Sequence, residues 1–264
     1  MTTFGTTLAT TFATTFEWKD DGLCEGQVLE RQFVIKGGKK PVPGIMWAPE
    51  VIEKPVPLVL FGHGGSGHKR VARALMLGRR FAGVSQFAMV AIDGPAHGDR
   101  KNPGEYDQAA AMSEGGVENV VDGMVADWTV TLDHFSGMDL IDAGRVAYIG
   151  FSMGTRFGLP FVAAAGGKLR CAALGKNALA AKLAASAPAH SGDRLSKDAP
   201  KIKIPLLFHM QWDDELFARD SQCDLFDLIG SEDKRLISYP GPHARSTSES
   251  VDHWCAFIEN HLKV

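Results

Sequence analysis

Apolar and polar positions alternate along the chain in blocks whose periods distinguish strands from helices. Short, largely apolar runs are typical of strands buried on both faces, and they occur at 57–61, 87–92, 145–149, 171–174, 204–210 and 235–239. Longer segments with apolar residues three or four positions apart predict helices at 68–81, 118–135, 152–165, 218–229 and 249–262. Two earlier strands are predicted at 30–36 and 44–48.

This order of elements predicts the fold class. Strands that alternate with helices form a parallel sheet with helices on both faces. No repeat or low-complexity linker divides the 264 residues, so we expect one α/β domain over 1–264. The threonine-rich start favours an edge strand or arm within 1–29, because threonine suits half-buried strands.

Composition excludes several function classes. Lys and Arg total 28 against 31 Asp and Glu, a net charge of -3, so nucleic acid is not an expected partner. No apolar run approaches the ~20 residues of a membrane helix, and the start lacks the basic and apolar regions of a secretory signal. The four cysteines are scattered without a CxxC pair, which favours free thiols and a cytoplasmic protein.

Candidate chemistry follows the strand at 145–149. Residues 150–154 read Gly-Phe-Ser-Met-Gly, a G-x-S-x-G motif between a strand and a helix. A sharp turn there forces Ser152 into a strained backbone region and lifts its hydroxyl clear of the sheet. The helix N-terminus offers the Met153 N–H to a developing oxyanion. The pattern therefore predicts Ser152 as a nucleophile.

A glycine-rich loop follows the strand at 57–61. Residues 62–68 read Gly-His-Gly-Gly-Ser-Gly-His, and they match neither a phosphate-binding P-loop nor the dinucleotide spacing. Exposed backbone N–H groups in such a loop can bind an anion. We expect the Gly65 N–H to be a second oxyanion donor, with the Gly64 N–H as the alternative.

A serine nucleophile needs a base, and the base needs a carboxylate to hold its tautomer. His243 lies in a proline- and glycine-rich loop after the last strand, and we predict it to be the base. Asp213 and Asp214 both follow the strand at 204–210, and both are candidates for the carboxylate.

With these motifs the chain resembles the α/β-hydrolase superfamily from about residue 30 onward, and within it the dienelactone-hydrolase-like and small serine esterase branch. The resemblance is carried by 61–68, 92–100, 150–154, 211–217 and 240–243. It implies a triad in the order Ser152, Asp214, His243 and favours Asp214, since an Asp-x-hydrophobic-hydrophobic segment follows this strand in serine hydrolases. Dienelactone hydrolases proper have cysteine where this chain has Ser152, which points to ordinary esters.

The expected function is a serine carboxylic-ester hydrolase acting on small, short-acyl esters without a cofactor. Phe151, Trp212 and Phe217 are candidates for the substrate pocket. Only about thirty residues separate the strands at 171–174 and 204–210, so no large cap domain is expected, and 187–193 is interpreted as loop. A peptidase, thioesterase or perhydrolase could use the same triad, and a non-catalytic binding protein of this fold is the remaining alternative. The sequence leaves both a monomer and a homo-oligomer as alternatives.

A metal site is the competing interpretation of 92–100. Asp93, His97 and Asp99 have ligand chemistry. The resemblance instead implies a structural loop, in which Asp93 accepts backbone N–H groups and Arg100 pairs with a carboxylate, so no metal is expected. The segment 101–116 is either a rim over the cleft or a solvated loop.

Overall fold

The structure, a computed structural model, describes residues 14–101, 115–182 and 191–263. Its strands are β1 (Thr15–Trp18), β2 (Leu23–Glu25), β3 (Val28–Lys36), β4 (Val42–Pro49), β5 (Val56–Gly62), β6 (Ala88–Ile92), β7 (Ile141–Gly150), β8 (Cys171–Gly175), β9 (Leu206–Gln211) and β10 (Lys234–Tyr239). Its α-helices are α1 (Ala72–Arg80), α2 (Val117–Ser136), α3 (Met153–Ala165), α4 (Gly192–Asp198), α5 (Arg219–Leu228) and α6 (Ser248–Leu262).

The ten strands of the described ranges join one sheet in the order β1-β3-β4-β6-β5-β7-β8-β9-β10, with β2 paired to β3. The six strands from β6 to β10 along this order are parallel, while β1 to β4 are added antiparallel at one side. The predicted α/β fold with a mostly parallel central sheet is therefore confirmed.

The strands β5, β6 and β8 carry no polar side chain because helices cover both faces of the sheet. Along β5, Leu58 and Leu60 face a core that includes α2 and α3, whereas Val59 and Phe61 face a core that includes α1 and α6. All four side chains are buried. A period of two between faces, with both faces apolar, produces the continuous runs seen in the sequence.

The strand order changes direction next to β5. The chain steps from β5 to β6 on one side, and then crosses to β7 on the other side of β5. The carboxyl ends of β5 and β7 thus meet where the winding reverses, which is where sheets of this kind bind ligands. The loops that leave these two ends carry Gly65 and Ser152.

Some elements differ from the sequence prediction. The helix expected at 68–81 begins at Ala72, because 69–70 form a turn instead. The stretch 187–193 was expected to be loop, but α4 begins at Gly192. The strand β2 was not predicted as a separate element. Most of 2–15, 101–116 and 187–193 lies outside the described residues. Across the described ranges, no helix has both the length and the apolar character to span a membrane.

Candidate active site

Ser152 occupies the sharp turn between β7 and α3. Its backbone has φ 60° and ψ -117°, a region that non-glycine residues rarely adopt and that costs about 1–3 kcal/mol. The Ser152 N–H donates to Gly175 O at 3.0 Å, and the Gly154 N–H donates to Phe151 O at 3.0 Å. These contacts hold the strained turn, as the G-x-S-x-G motif predicts.

The second glycine of the motif allows a close approach. A Cβ atom on Gly154 would lie 2.3 Å from the carbonyl oxygen of Gly62, closer than any real contact. Glycine thus lets the first turn of α3 pack directly on the end of β5. This packing brings the glycine-rich loop at 62–68 beside Ser152.

Three side chains from three loops form one hydrogen-bonded chain. The Ser152 hydroxyl donates to His243 Nε2 over 2.8 Å, and His243 Nδ1–H donates to Asp214 Oδ2 over 2.8 Å. Since the carboxylate can only accept, the proton lies on Nδ1, and Nε2 is left as the acceptor for the serine proton. His243 and Asp214 are 12% and 0% exposed at the side chain, so water has little access to the chain.

The surroundings of Asp214 favour the ionised form of its carboxyl. Burial raises the pKa of its carboxyl, but the His243 hydrogen bond, the electrostatic interaction with that ring and the N–H groups of Phe217 and Leu216 outweigh it and lower the pKa overall. The two N–H groups donate to Oδ1 at 3.0 and 2.8 Å. Asp213 is exposed and accepts the Gly241 N–H at 2.9 Å, so it contacts the loop before His243 rather than the imidazole.

Backbone donors on two loops face no partner within the described part of the chain. The N–H groups of Met153 and Gly65 make no hydrogen bond there, and neither does that of Gly64, the alternative donor. Met153 is the first residue of α3, so its N–H also carries the positive end of the helix dipole. These groups are therefore available to an oxygen anion.

The direction of the Gly65 N–H is set by His63. The Gly64 carbonyl accepts from His63 Nδ1–H at 2.8 Å and from the Gly67 N–H at 3.0 Å. In a planar trans peptide the following N–H points opposite to that carbonyl, so fixing Gly64 O fixes the Gly65 N–H. Burial lowers the pKa of His63 to about 4, and its neutral ring accepts the Gly94 N–H at Nε2 over 2.9 Å.

No protein-family model and no curated protein matches the chain. A solved structure of a cold-adapted esterase from an Arctic intertidal metagenomic library is similar to it, with 30% identity and a TM-score of 0.78 over 93% of this chain and 99% of that one. The chain belongs to the α/β-hydrolase superfamily. It is a hydrolase that acts on ester bonds, as the sequence predicts.

More distant structures share the fold of this hydrolase. An acetyl xylan esterase from Paenibacillus sp. R4 is 18% identical with a TM-score of 0.74, covering 95% of this chain and 89% of that one. A dienelactone hydrolase-like promiscuous phosphotriesterase from metagenomic libraries is 19% identical with a TM-score of 0.66, covering 89% and 99%. The predicted resemblance to the dienelactone-hydrolase-like and small esterase branch is confirmed.

The carboxylates of the proposed metal site bind a lysine instead of a metal ion. The Lys69 ammonium of the hydrolase lies 2.7 Å from both Asp93 and Asp99, and Asp93 also accepts the N–H groups of Lys69 and Asp99. The two ring nitrogens of His97 lie 2.6 and 2.7 Å from the carbonyl oxygens of Pro95 and Gly65. The candidate metal ligands thus already take part in the contacts that hold the loop after β6.

The expected partners of this loop agree with the geometry. Asp93 accepts two backbone N–H groups, and Arg100 forms an ion pair with Asp127 at 2.7 Å. Within the described ranges, no group of three or more His, Cys, Asp or Glu side chains is arranged to hold a metal ion.

The three predicted pocket residues lie in different surroundings. The Phe217 ring centroid is 5.6 Å from that of His243, so it borders the triad. Trp212 is 50% exposed, with the Arg219 guanidinium 4.5 Å above its ring. Phe151 is buried, and its ring packs 4.2 Å from that of Trp254 in the core beneath the nucleophile turn. The structure therefore brings Phe217 to the site, leaves Trp212 at the surface and assigns Phe151 to the core.

Several residues at the site were not singled out from the sequence. Lys176 and Asn177 directly follow β8, and Asn177 Nδ2 donates to Ser152 O at 3.0 Å. Glu215 accepts the His243 N–H. The signal was available, because position just after a parallel strand identified every other group at this edge.

Proposed function

We propose that this ester hydrolase is a serine carboxylesterase of small, short-acyl esters, working through a Ser152-His243-Asp214 triad and an acyl-enzyme. The hydrogen-bonded chain from Ser152 Oγ through both ring nitrogens of His243 to Asp214 carries the proposal. This chain supplies a nucleophile, a base in the correct tautomer and a buried carboxylate, which is the set that acyl transfer requires.

In acylation, Ser152 Oγ attacks the ester carbonyl carbon while its proton passes to His243 Nε2. The carbonyl oxygen becomes an oxyanion, and the N–H groups of Met153 and Gly65 stabilise it. When the carbonyl re-forms, the bond to the alcohol oxygen breaks and that oxygen takes the proton from Nε2. The alcohol leaves, and the acyl group remains on Ser152.

Deacylation repeats the sequence with water. His243 Nε2 takes one proton from a water molecule as its oxygen attacks the acyl carbon. The second oxyanion occupies the same two N–H donors. Its collapse breaks the bond to Ser152 Oγ, which regains the proton from Nε2, and the carboxylic acid is released. Asp214 stabilises the imidazolium that forms in both steps.

The preference for short acyl groups is supported by what surrounds the triad. Between β8 and β9 the described residues form only the seven-residue helix α4 and a short 3-10 turn. Phe217 is 8% exposed beside His243, and Met153 is 8% exposed at the start of α3. These apolar side chains offer limited contact area, which favours small substrates over long chains. A neighbouring fold is that of an acetyl xylan esterase, an enzyme of acetyl esters by its name.

A fluorophosphonate probe combined with an ester series tests the function. We expect mass spectrometry to locate one adduct on Ser152, and labelling to abolish hydrolysis of p-nitrophenyl esters in step with occupancy. Across the series from acetate to laurate, kcat/KM should be highest for the shortest acyl groups. Acyl-CoA thioesters and aminoacyl amides, assayed in parallel, test the thioesterase and peptidase alternatives. Hydrolysis that continues in fully labelled protein would contradict the proposal.

The rate should depend on pH in the acid range. A protonated imidazole cannot accept the Ser152 proton, so we expect kcat/KM for p-nitrophenyl acetate to be lower at pH 5 than at pH 8. The lowered pKa of Asp214 keeps that carboxyl ionised in this range, so the loss reports the base. Thermal unfolding measured at each pH is the control, and a flat profile from pH 8 to pH 5 with intact protein would argue against a histidine base.

A further inference from the structure

His243 is held by its own backbone as well as by its ring. Glu215 Oε2 accepts the His243 N–H at 2.8 Å, and Lys176 Nζ donates to the His243 carbonyl oxygen at 3.1 Å. Lys176 also donates to the carbonyl oxygen of Arg245 and to Ser246 Oγ. One carboxylate and one ammonium group thus form hydrogen bonds with the N–H and the carbonyl oxygen of His243, the proposed base.

The position of Lys176 is costly. The residue is 2% exposed, and it forms no ion pair with a carboxylate among the described residues. Its three donors are used by three neutral oxygens of the loop that carries His243. A buried ammonium group requires such partners. All three donors of Lys176 are satisfied only when this loop adopts the observed conformation. The free-energy cost of burying Lys176 is therefore offset only when the loop holds the His243 imidazole in this position.

Charged groups surround Lys176 on several elements. Burial lowers the pKa of Lys176 to about 7, with Arg73 of α1 acting in the same direction, while Asp214 and Glu215 oppose the shift. The Arg73 guanidinium reaches the same Ser246 hydroxyl at 2.9 Å. Lys176 also contributes to the lowered pKa of His209 in β9, after burial. The His243 N–H is the largest cause of the lowered pKa of Glu215, so that partner is ionised at neutral pH.

We infer that Lys176 and Glu215 are positioning residues for His243, which fix its place in the triad and act on its ring with opposite charges. The inference rests on the proposed function. A group that holds the base within hydrogen-bond range of Ser152 Oγ affects kcat, because a misplacement of about 1 Å can cost 10²-fold. A positive charge nearby disfavours the imidazolium, whereas a negative charge favours it.

The test compares Lys176→Met, Lys176→Gln and Glu215→Gln with the unaltered protein. For Lys176→Met we expect kcat for p-nitrophenyl acetate to fall about 10- to 100-fold with little change in KM. The midpoint of the acid limb should move up by about half a pH unit. Lys176→Gln keeps a donor without the charge, so it should recover part of kcat with the same shift. Glu215→Gln keeps an acceptor, so kcat should fall only a few-fold while the acid limb moves down.

Lys234→Met is the matched control. Lys234 Nζ also donates to three oxygens, the carbonyls of Phe226, Asp227 and Ile229 at 3.0, 2.9 and 3.0 Å, but it lies at the amino end of β10, away from the triad. We expect this variant to lower the temperature of thermal unfolding and leave kcat and the acid limb unchanged.

The outcomes separate this inference from the proposed function. Wild-type kcat and acid limb in Lys176→Met, or shifts of the same sign in the lysine and glutamate variants, would overturn the positioning role. Should Lys176→Met fail to fold, Lys176→Gln and Glu215→Gln decide the question through the opposite signs of their shifts. If Ser152→Ala keeps full turnover, the triad itself is refuted; if Ser152→Ala is inactive while the Lys176 variants are normal, only the positioning role is lost.

Discussion

Ser152→Ala is expected to lower kcat for ester hydrolysis by at least about 10⁴-fold, the largest effect of any single substitution in this protein. Without Oγ there is no atom to form the acyl-enzyme, although the two N–H donors and His243 remain. The turn should survive, since its backbone is held by the Gly175 carbonyl and the Gly154 N–H rather than by the serine side chain.

The measurement is steady-state hydrolysis of p-nitrophenyl acetate with thermal unfolding recorded for each variant. Ser238→Ala provides the control, because Ser238 lies exposed on the edge strand β10. A Ser152→Ala protein that folds normally and keeps more than about one hundredth of the activity would refute the nucleophile, since residual rates after triad loss come only from binding and oxyanion donors.

Asp214→Asn should have the second largest effect, a fall in kcat of about 10³- to 10⁴-fold. The amide that replaces the carboxylate can present an N–H to Nδ1. The proton of the ring then moves to Nε2, which faces Ser152 Oγ and can no longer accept. The substitution keeps the size of the side chain, so the loss reflects the tautomer rather than packing.

The neighbouring aspartate supplies the control. Asp213→Asn removes a charge from the Gly241 N–H contact but leaves the imidazole and its partner untouched, and we expect less than a 10-fold change in kcat. Assays of both variants at pH 8, well above the acid limb, compare them under one protonation state. A larger loss in Asp213→Asn than in Asp214→Asn would assign the carboxylate to the other residue.

The sequence could predict the parts of the fold and site that depend on local pattern. The buried runs locate the central strands because both faces of the sheet are covered, and the G-x-S-x-G motif locates Ser152 because the turn it forms is sterically specific. The order of Ser152, Asp214 and His243 along the chain, combined with position after a strand, was enough to expect them at one edge of the sheet.

Features that depend on long-range contacts were out of reach. Spacing alone does not distinguish Asp213 from Asp214, since both follow the same strand, and the resemblance decided the preference. Nothing in the sequence distinguishes Lys176 from other lysines, because its contacts with the carbonyl oxygens of 243 and 245 exist only in the folded chain. Phe151 is an apolar residue beside Ser152 in sequence, yet its ring packs in the core against Trp254.

Gly62 and Gly150 are partners in the pairing of β5 with β7, so the loops that carry Gly65 and Ser152 leave the sheet side by side. The spacing between the loop that carries Gly65 and the turn that carries Ser152 is therefore set by the pairing of β5 with β7, and not by the length of the loops that connect the elements between them. Insertions or deletions in those connecting loops are therefore expected to leave this spacing unchanged.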